Sequence, residues 1–376
     1  MTAVNKVLVV GGGFSGMAAA IELRKAGVAV NLVEQDPHWC PLGAGITIGG
    51  PTLRALQVLG VYEEVVEQGC VTNGVDICLP NGHTVAELPT PTPVGSNVAG
   101  GGGIMRPVLA RILAQATRRA GVDVRLGCTW TTIEQDAEGA DVRFDDGSTG
   151  RYDLVIGADG VHSRLRETYF PEVRAPEYIG QGVWRAVMPR PDAIVRPRMW
   201  LGHHIKVGVN PVSQTHMYMF ITEDRPTKEH IDPATWPQVF AGLMKGFPDP
   251  LIEALIPHAL AAEAAIDYRP LANLLVPAPW NRGRVVLIGD TVAATTPHLA
   301  SGAGIGIESG IVLAQELSST ADLQTALDRF HARRFARCEL VIRNSEALCR
   351  IEIEGGDKQE HGRIMRESLM ALAQPI

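Results

Sequence analysis

The chain has 376 residues, 45% of them hydrophobic and 20% charged, and a formal net charge of −7 from 34 basic and 41 acidic side chains. At about 150 residues per domain this length predicts two to three folding units, each able to bury a core. An acidic balance without a Lys/Arg run argues against nucleic acid or an anionic membrane surface as partner, and no stretch of about 18 apolar residues is present to span a bilayer. Small-molecule chemistry is the class that remains. The six cysteines, Cys40, Cys70, Cys78, Cys128, Cys338 and Cys349, form no C-x-x-C pair, so they read as reduced thiols with neither a metal site nor a disulfide framework. The start of the chain lacks the basic and small-residue features of a signal peptide, so a cytoplasmic location is expected.

In chain order, Val7 to Val10, the glycines Gly11 to Gly16, an Ala/Leu-rich stretch to Ala26 and Val28 to Val33 predict strand, turn, helix and strand, one βαβ unit. Helical patterns follow at Pro51 to Leu59 and Tyr62 to Gln68. The segment from about 70 to 100 reads as a small inserted β-layer whose Asn81-Gly82 is a hairpin turn. Pro89 to Gly103, with glycines at 100 to 103, reads as a mobile surface loop, either lid or linker. A helix is predicted from Arg106 to Ala120, with strands near Asp123 to Leu126 and Ala140 to Phe144, a hairpin at Asp146-Gly147, and a buried strand at Asp153 to Ile156 ending in Gly157-Ala158-Asp159-Gly160. From Tyr178 to Thr222 aromatic and β-branched residues alternate, as expected of a second, sheet-built unit. Helices near Trp236 to Lys245 and Leu251 to Leu255 precede another buried strand, Arg284 to Ile288, which runs into Gly289-Asp290; the last 75 or so residues are helical in pattern and end in a charged tail.

Gly11-x-Gly13-x-x-Gly16, with Phe14 and Ser15 between its glycines, stands between a predicted strand and helix. Glu34, followed by Gln35, lies at the end of the next strand. Glycines at these positions let a pyrophosphate approach the helix N-terminus, and the carboxylate can accept hydrogen bonds from ribose hydroxyls. An ADP-containing cofactor follows, and the motif by itself fits FAD or NAD.

Asp159-Gly160 and Gly289-Asp290, each after an apolar strand, resemble in order and context the signatures of the single-component flavin-dependent aromatic hydroxylases, the group typified by para-hydroxybenzoate hydroxylase. The resemblance runs from Val7 to about Leu317. Leu42-Gly43-Ala44-Gly45-Ile46 after the second strand and Arg106 at a helix start add to it. It implies an α/β fold: a Rossmann-like FAD-binding domain from 1 to 177 and again from 276 to 376, with helices at the C-terminus and a mixed-sheet substrate domain inserted at 178 to 275.

The same resemblance assigns roles residue by residue. Asp290 would hydrogen-bond the ribityl chain of FAD, the competing role for a carboxylate before a turn being a helix N-cap. Arg106 would meet the phosphate or ribityl region, Asp159 would serve the cofactor side, Gly45 would join the cofactor set, and Gly302 and Ala303 would open a helix whose amides face the flavin. The chain departs from the common pattern at Thr291-Val292-Ala293, where many members have Ala-Ala-His, at Ala300-Ser301, where Gly-Gln is common, and at Ser309, where an acidic residue is common.

The reaction implied is reduction of FAD by NADH or NADPH, then reaction with O2 to a flavin hydroperoxide that transfers OH to an electron-rich ring. The protein's part is to bind the ring, exclude water and favour the ring's anion. His298, Tyr218 and Lys206 are the catalytic candidates, and Thr47, Arg185, His204 and Pro297 the candidate substrate contacts, with His203 beside them. The expected substrate is a small hydroxylated aromatic or N-heteroaromatic acid, and the expected assembly a monomer or homodimer. The FAD motifs alone leave open a related epoxidase or reductase, or a flavin redox sensor that hydroxylates nothing.

Overall fold

The computed structural model describes residues 2–40, 43–261 and 264–376. Leu42, expected near the cofactor, lies outside the described residues.

A six-stranded sheet runs in the order Asn281–Arg282, Val285–Leu287, Leu154–Gly157, Lys6–Val10, Ala29–Glu34, Asp123–Leu126. Every pairing is parallel except that of the first edge strand. Parallel strands buried on both faces need continuous apolar runs, and these have them: Val7, Leu8, Val9, Leu154, Val155, Ile156, Val285 and Leu287 are all 0% exposed. The helices Phe14–Lys25 and Gly302–Ser319 pack together beside it, and Ser15 at their crossing fills the space that a side chain at Gly289 or Gly306 would need.

An eight-stranded sheet follows the order Ala293–Ala294, Ile266–Leu275, Glu177–Pro189, His216–Asp224, Ile205–Pro211, Arg198–Leu201, Val75–Cys78, Thr84–Leu88. Period-two alternation divides its central strands cleanly. Trp184, Ala186, Met188, Val207, Val209, Met217, Met219 and Ile221 form one core with the helices Trp236–Met244 and Pro250–Ala259. Arg185, Val187, Lys206, Gly208, Asn210, Tyr218, Phe220 and Thr222 take the other face, which looks toward the nucleotide-fold sheet.

Two segments differ from expectation. Val75–Cys78 and Thr84–Leu88 make the predicted hairpin, but they extend the large sheet through a parallel pairing with Arg198–Leu201 instead of standing apart. The glycines expected in a mobile loop form a buried strand, Gly101–Met105, at the centre of a three-stranded antiparallel sheet with Gly45–Gly49 and Cys70–Thr72. Glycine is required there by close approach: a Cβ on Gly102 would stand 2.6 Å from the Cys70 carbonyl oxygen, and one on Gly103 2.5 Å from that of Pro211. The strand Trp130–Gln135, unremarked in the sequence, completes a small antiparallel sheet with Ala140–Phe144 and Thr149–Tyr152. The charged tail is largely a helix, Lys358–Ala373.

Candidate active site

Four adjacent parallel strands end on one edge of the six-stranded sheet, and each delivers one motif there. Val10 runs into Gly11, Glu34 closes its own strand, Gly157 leads to Asp159, and Leu287 leads to Gly289-Asp290. The carboxyl edge of such a sheet is where doubly wound folds take their ligands. Gly11 has φ +104 and lies so close to Ala158 that a Cβ would fall 2.3 Å from its carbonyl oxygen, so the turn admits glycine alone. Glu34 reaches back across it, one carboxylate oxygen accepting the Gly12 N–H at 2.7 Å and the other the Asp36 N–H at 2.8 Å. Gln35 beside it is exposed. The carboxylate thus stands at the phosphate turn, within reach of an adenosine ribose.

Asp290 is accessible and yet surrounded by enough protein that its charge is desolvated. Burial pushes its carboxyl above the ordinary carboxylate range, and the Arg106 guanidinium works in the opposite direction. Arg106 is itself held down by burial and held up by Asp290, and it lies over the Phe14 ring at 5.2 Å. Asp290 sits inside the short turn Gly289–Thr291 and caps no helix, so the N-cap alternative is not realised. Asp159 Oδ2 accepts the Leu165 N–H, and its Oδ1 takes the Thr291 hydroxyl at 3.4 Å; Thr291 also receives the Gly160 N–H at 3.1 Å. Thr291, a departure from the family's common pattern, therefore links the two aspartate motifs. At Ala300, one of the departures from the expected family pattern, φ is +49. The helix Gly302–Ser319 begins just after it, with Gly302 and Ala303 at its open N-terminus.

Across the cleft stands the polar face of the large sheet. Tyr218 is buried, packed where a Cβ on Gly45 would lie 2.4 Å from its own Cβ, and burial raises its phenol to about 12. Tyr218 therefore stays protonated at neutral pH and has a hydroxyl proton to offer. Gly45 serves this packing. The Phe220 ring leans beside Tyr218, with centroids 5.8 Å apart, and lies flat over Gly208. Arg185 is opposite Phe220 and is tied to Asp267 on the neighbouring strand, while its Nε is buried without a partner. The Thr222 hydroxyl on the same face is also buried and unpartnered. Thr47 accepts the Asn210 side-chain amide at 3.1 Å, which places it at the wall where the three-stranded sheet meets the large one.

Three sequence candidates converge away from Tyr218. His298, in the turn Pro297–Leu299, has its Nδ1 2.9 Å from the Thr296 hydroxyl, while its Nε2 faces Glu352 at 3.4 Å and is buried without a hydrogen-bond partner. Burial lowers its pKa and keeps the imidazole neutral, with Glu352 opposing that shift. Lys206 donates to Glu352 at 2.6 Å. Pro297 is exposed at the start of the same turn. His204 departs from its expected place in the pocket: at φ +59 in the hairpin before Ile205 it is exposed, held by Asp224 at 2.7 Å and packed edge-on against the exposed His203. A tight hairpin tip, which turns His204 away from the sheet, accounts for the difference. Phe220, Asp267, Thr296 and Glu352 were missed in the sequence. Phe220 alone carried a local signal there, since it alternates with Tyr218.

The residues fit a flavin dinucleotide: an anion-binding turn, a ribose carboxylate, a deep accessible aspartate with a guanidinium nearby, and a helix N-terminus, all on one cleft. The fold and these motifs together define a flavoprotein. A family model described as "FAD binding domain" matches residues 5–345. The chain belongs to that family, that of the single-component FAD-dependent aromatic hydroxylases, and it is an FAD-dependent monooxygenase. It is 30% identical over 349 residues to 2-heptyl-3-hydroxy-4(1H)-quinolone synthase of Pseudomonas aeruginosa, covering 92% of this chain and 89% of that one. With aurachin C monooxygenase/isomerase of Stigmatella aurantiaca it shares 30% identity over 351 residues, with the same coverage. Klebsiella pneumoniae HpxO complexed with FAD and uric acid has the same fold, at a TM-score of 0.81, 23% identity, and coverage of 98% of this chain and 92% of that one. Among the described residues no group of His, Cys, Asp and Glu could hold a metal ion, and no helix is long and apolar enough to cross a membrane.

Proposed function

We propose that the enzyme uses NADH or NADPH and O2 to hydroxylate a small, planar, hydroxylated aromatic or N-heteroaromatic acid. The observation that carries this reading is the cleft wall opposite the Arg106–Asp290 edge. There a flat aromatic surface, Tyr218 and Phe220, lies among more cationic than anionic groups, namely Arg106, Arg185 and Arg269 against Asp267 and Asp290. An aromatic face suits a planar ring, and a surplus of guanidinium favours the ring's anion over its neutral form.

Bound FAD, reduced by the nicotinamide, would supply the activated oxygen. Gly11, Gly13 and the following helix would hold its pyrophosphate, Glu34 its adenosine ribose, Asp290 and Arg106 its ribityl and phosphate region, and the amides at Gly302 and Ala303 its ring. Tyr218 would donate to the substrate's oxygen, Arg185 would face its negative charge, and Lys206, Thr222 and Thr47 would complete the wall. The inserted sheet, 178–275, would serve as the substrate unit, and the segments 1–177 and 276–376 as the cofactor unit. Relatives named for quinolones and for urate support a fused or nitrogen-containing ring.

The test is NADH and NADPH oxidation by the FAD-loaded enzyme against hydroxybenzoates, hydroxypyridine carboxylates, hydroxyquinolones and purine-like rings, with peroxide measured alongside. One compound that accelerates turnover with little peroxide supports the reading. Background rates throughout, or acceleration that yields only peroxide, counts against it.

A further inference from the structure

Glu352 lies near the C-terminal end of the long helix Leu323–Glu354, whose last turn carries no basic residue. A carboxylate there opposes the helix dipole, so helix formation does not explain it. Its oxygens are shared among three elements. Oε1 receives Lys206 Nζ at 2.6 Å from the large sheet and stands 3.1 Å from His361 Nε2 of the last helix; Oε2 faces His298 Nε2 at 3.4 Å from the turn that precedes the helix Gly302–Ser319. The carboxylate is partly buried, and although burial works to raise its pKa, Lys206 and the two histidines outweigh it and hold the group ionised, well below the usual range. The other titratable groups about it are Asp224, paired with His204 on the sheet, and Cys349 one turn back on its own helix, whose thiol burial pushes up to about 12.

We infer that Glu352 is a positioning residue for the reaction: one carboxylate holds Lys206 on the substrate wall and His298 on the cofactor-side turn, and so fixes the spacing of the two walls. The inference rests on the proposed function for which wall meets the substrate, but the clamp itself is a matter of geometry. Lys206 occupies the register position opposite the unpartnered Thr222 hydroxyl, in the row next to Phe220 and Gly208. The turn containing His298 leads through Ala300 directly into the helix whose N-terminus opens on the cleft. Freeing either tether lets one wall shift against the other. A buried packing residue would tolerate an isosteric neutral replacement, whereas a clamp that works through charge would not.

The experiment compares wild type, Glu352→Gln, Lys206→Met and the double variant, all as FAD-loaded protein. The first readout is the ring titration of His298 and His361 in protein labelled at histidine Cε1, with His298→Gln used for assignment. It is independent of any substrate. Removing the charge of Glu352 should lower the pKa of His298 by about half a unit or more. The second readout is kinetic, with whichever ring compound stimulates turnover. Glu352→Gln should raise KM and the peroxide yield several-fold while the melting temperature and bound FAD stay near wild type, and its effect should be non-additive with Lys206→Met. An unmoved His298 titration, or strictly additive kinetic effects, overturns the clamp. If no compound stimulates turnover, the substrate reading fails, while the histidine titration still decides the clamp. Should Glu352→Gln not fold, Lys206→Met is read alone: by removing a cation that depresses His298 it should raise that titration, and no movement overturns the inference.

Discussion

Arg106 and Asp290 shape each other's ionisation without meeting in an ion pair among the described residues: each is moved by desolvation and by the other's charge, yet Asp290 keeps accessible surface. Two opposite charges kept apart at the carboxyl edge of a parallel sheet leave hydrogen-bonding capacity for a third party, which in this family is FAD.

Asp290→Ala should weaken FAD binding by about 10- to 100-fold, the loss expected for charge-assisted hydrogen bonds to a polyol. Fluorescence titration of apoprotein with FAD measures it, and unchanged affinity contradicts the role. The apoprotein should respond in the opposite direction. A carboxyl raised on folding costs stability once pH exceeds its unfolded value, so Asp290→Asn apoprotein should melt higher than wild type at neutral pH and lose that advantage as pH falls toward 4.

His298 is neutral in the folded protein because burial lowers its pKa. Below about 6.5 the unfolded chain takes up a proton that the folded chain refuses, so stability falls as pH drops from 6.5 toward the depressed folded value. Urea unfolding at pH 8 and pH 5.5 should show that loss in wild type and a smaller one in His298→Gln. His331 is depressed by burial as well and contributes equally to both proteins, so the difference isolates His298.

Ala300 occupies the left-handed region at φ +49, where a side chain costs energy and glycine does not. Ala300→Gly should therefore raise stability by up to about 1 kcal/mol, read as an increase in melting temperature. A decrease would mean that the methyl group packs usefully.

The Phe220 ring covers Gly208 so closely that a Cβ there would lie 2.1 Å from it. Gly208→Ala should cost about 1–3 kcal/mol by overpacking and should displace the ring into the cleft. In a Phe220→Ala background the same change should cost almost nothing. Denaturant unfolding of the four proteins gives the coupling, and additivity would contradict the contact.

Glu308, at 1% exposure, neutralises Arg334 at 3.1 Å and Arg337 at 2.7 Å, and Arg337 in turn holds the Ala371 and Leu372 carbonyls of the last helix. Removing the charge strands the buried Arg334 and the mostly buried Arg337 and Arg54, so Glu308→Gln should destabilise by about 3–5 kcal/mol in chemical denaturation.

Much of this was legible because its causes are local. The parallel strands announce themselves as short apolar runs, and each ends at its motif: Gly11 and Glu34 were read from spacing, Asp159 and Asp290 from the family resemblance. Gly101–Met105 was misread because glycine signals freedom in sequence and also serves contact in three dimensions; the carbonyls of Cys70 and Pro211 that require it lie 30 and more residues away. The proposed substrate wall was half visible: alternation and the family resemblance singled out Lys206 and Tyr218, which share one face of the large sheet, but neither could tell that Tyr218 would be buried or that Lys206 would pair with Glu352. His298 was chosen for its place beside the flavin, and only the packed structure sets its Nδ1 against Thr296 and its Nε2 toward Glu352. Glu352 had no signal, because its partners come from three elements joined only by folding.

The most direct test of ring oxygenation is turnover of the stimulating compound under isotopically heavy O2, with mass spectrometry of the product. One heavy oxygen atom on the ring, with NADH or NADPH consumed in equal amount, is the result predicted. A product carrying oxygen from water, or none added at all, would contradict it.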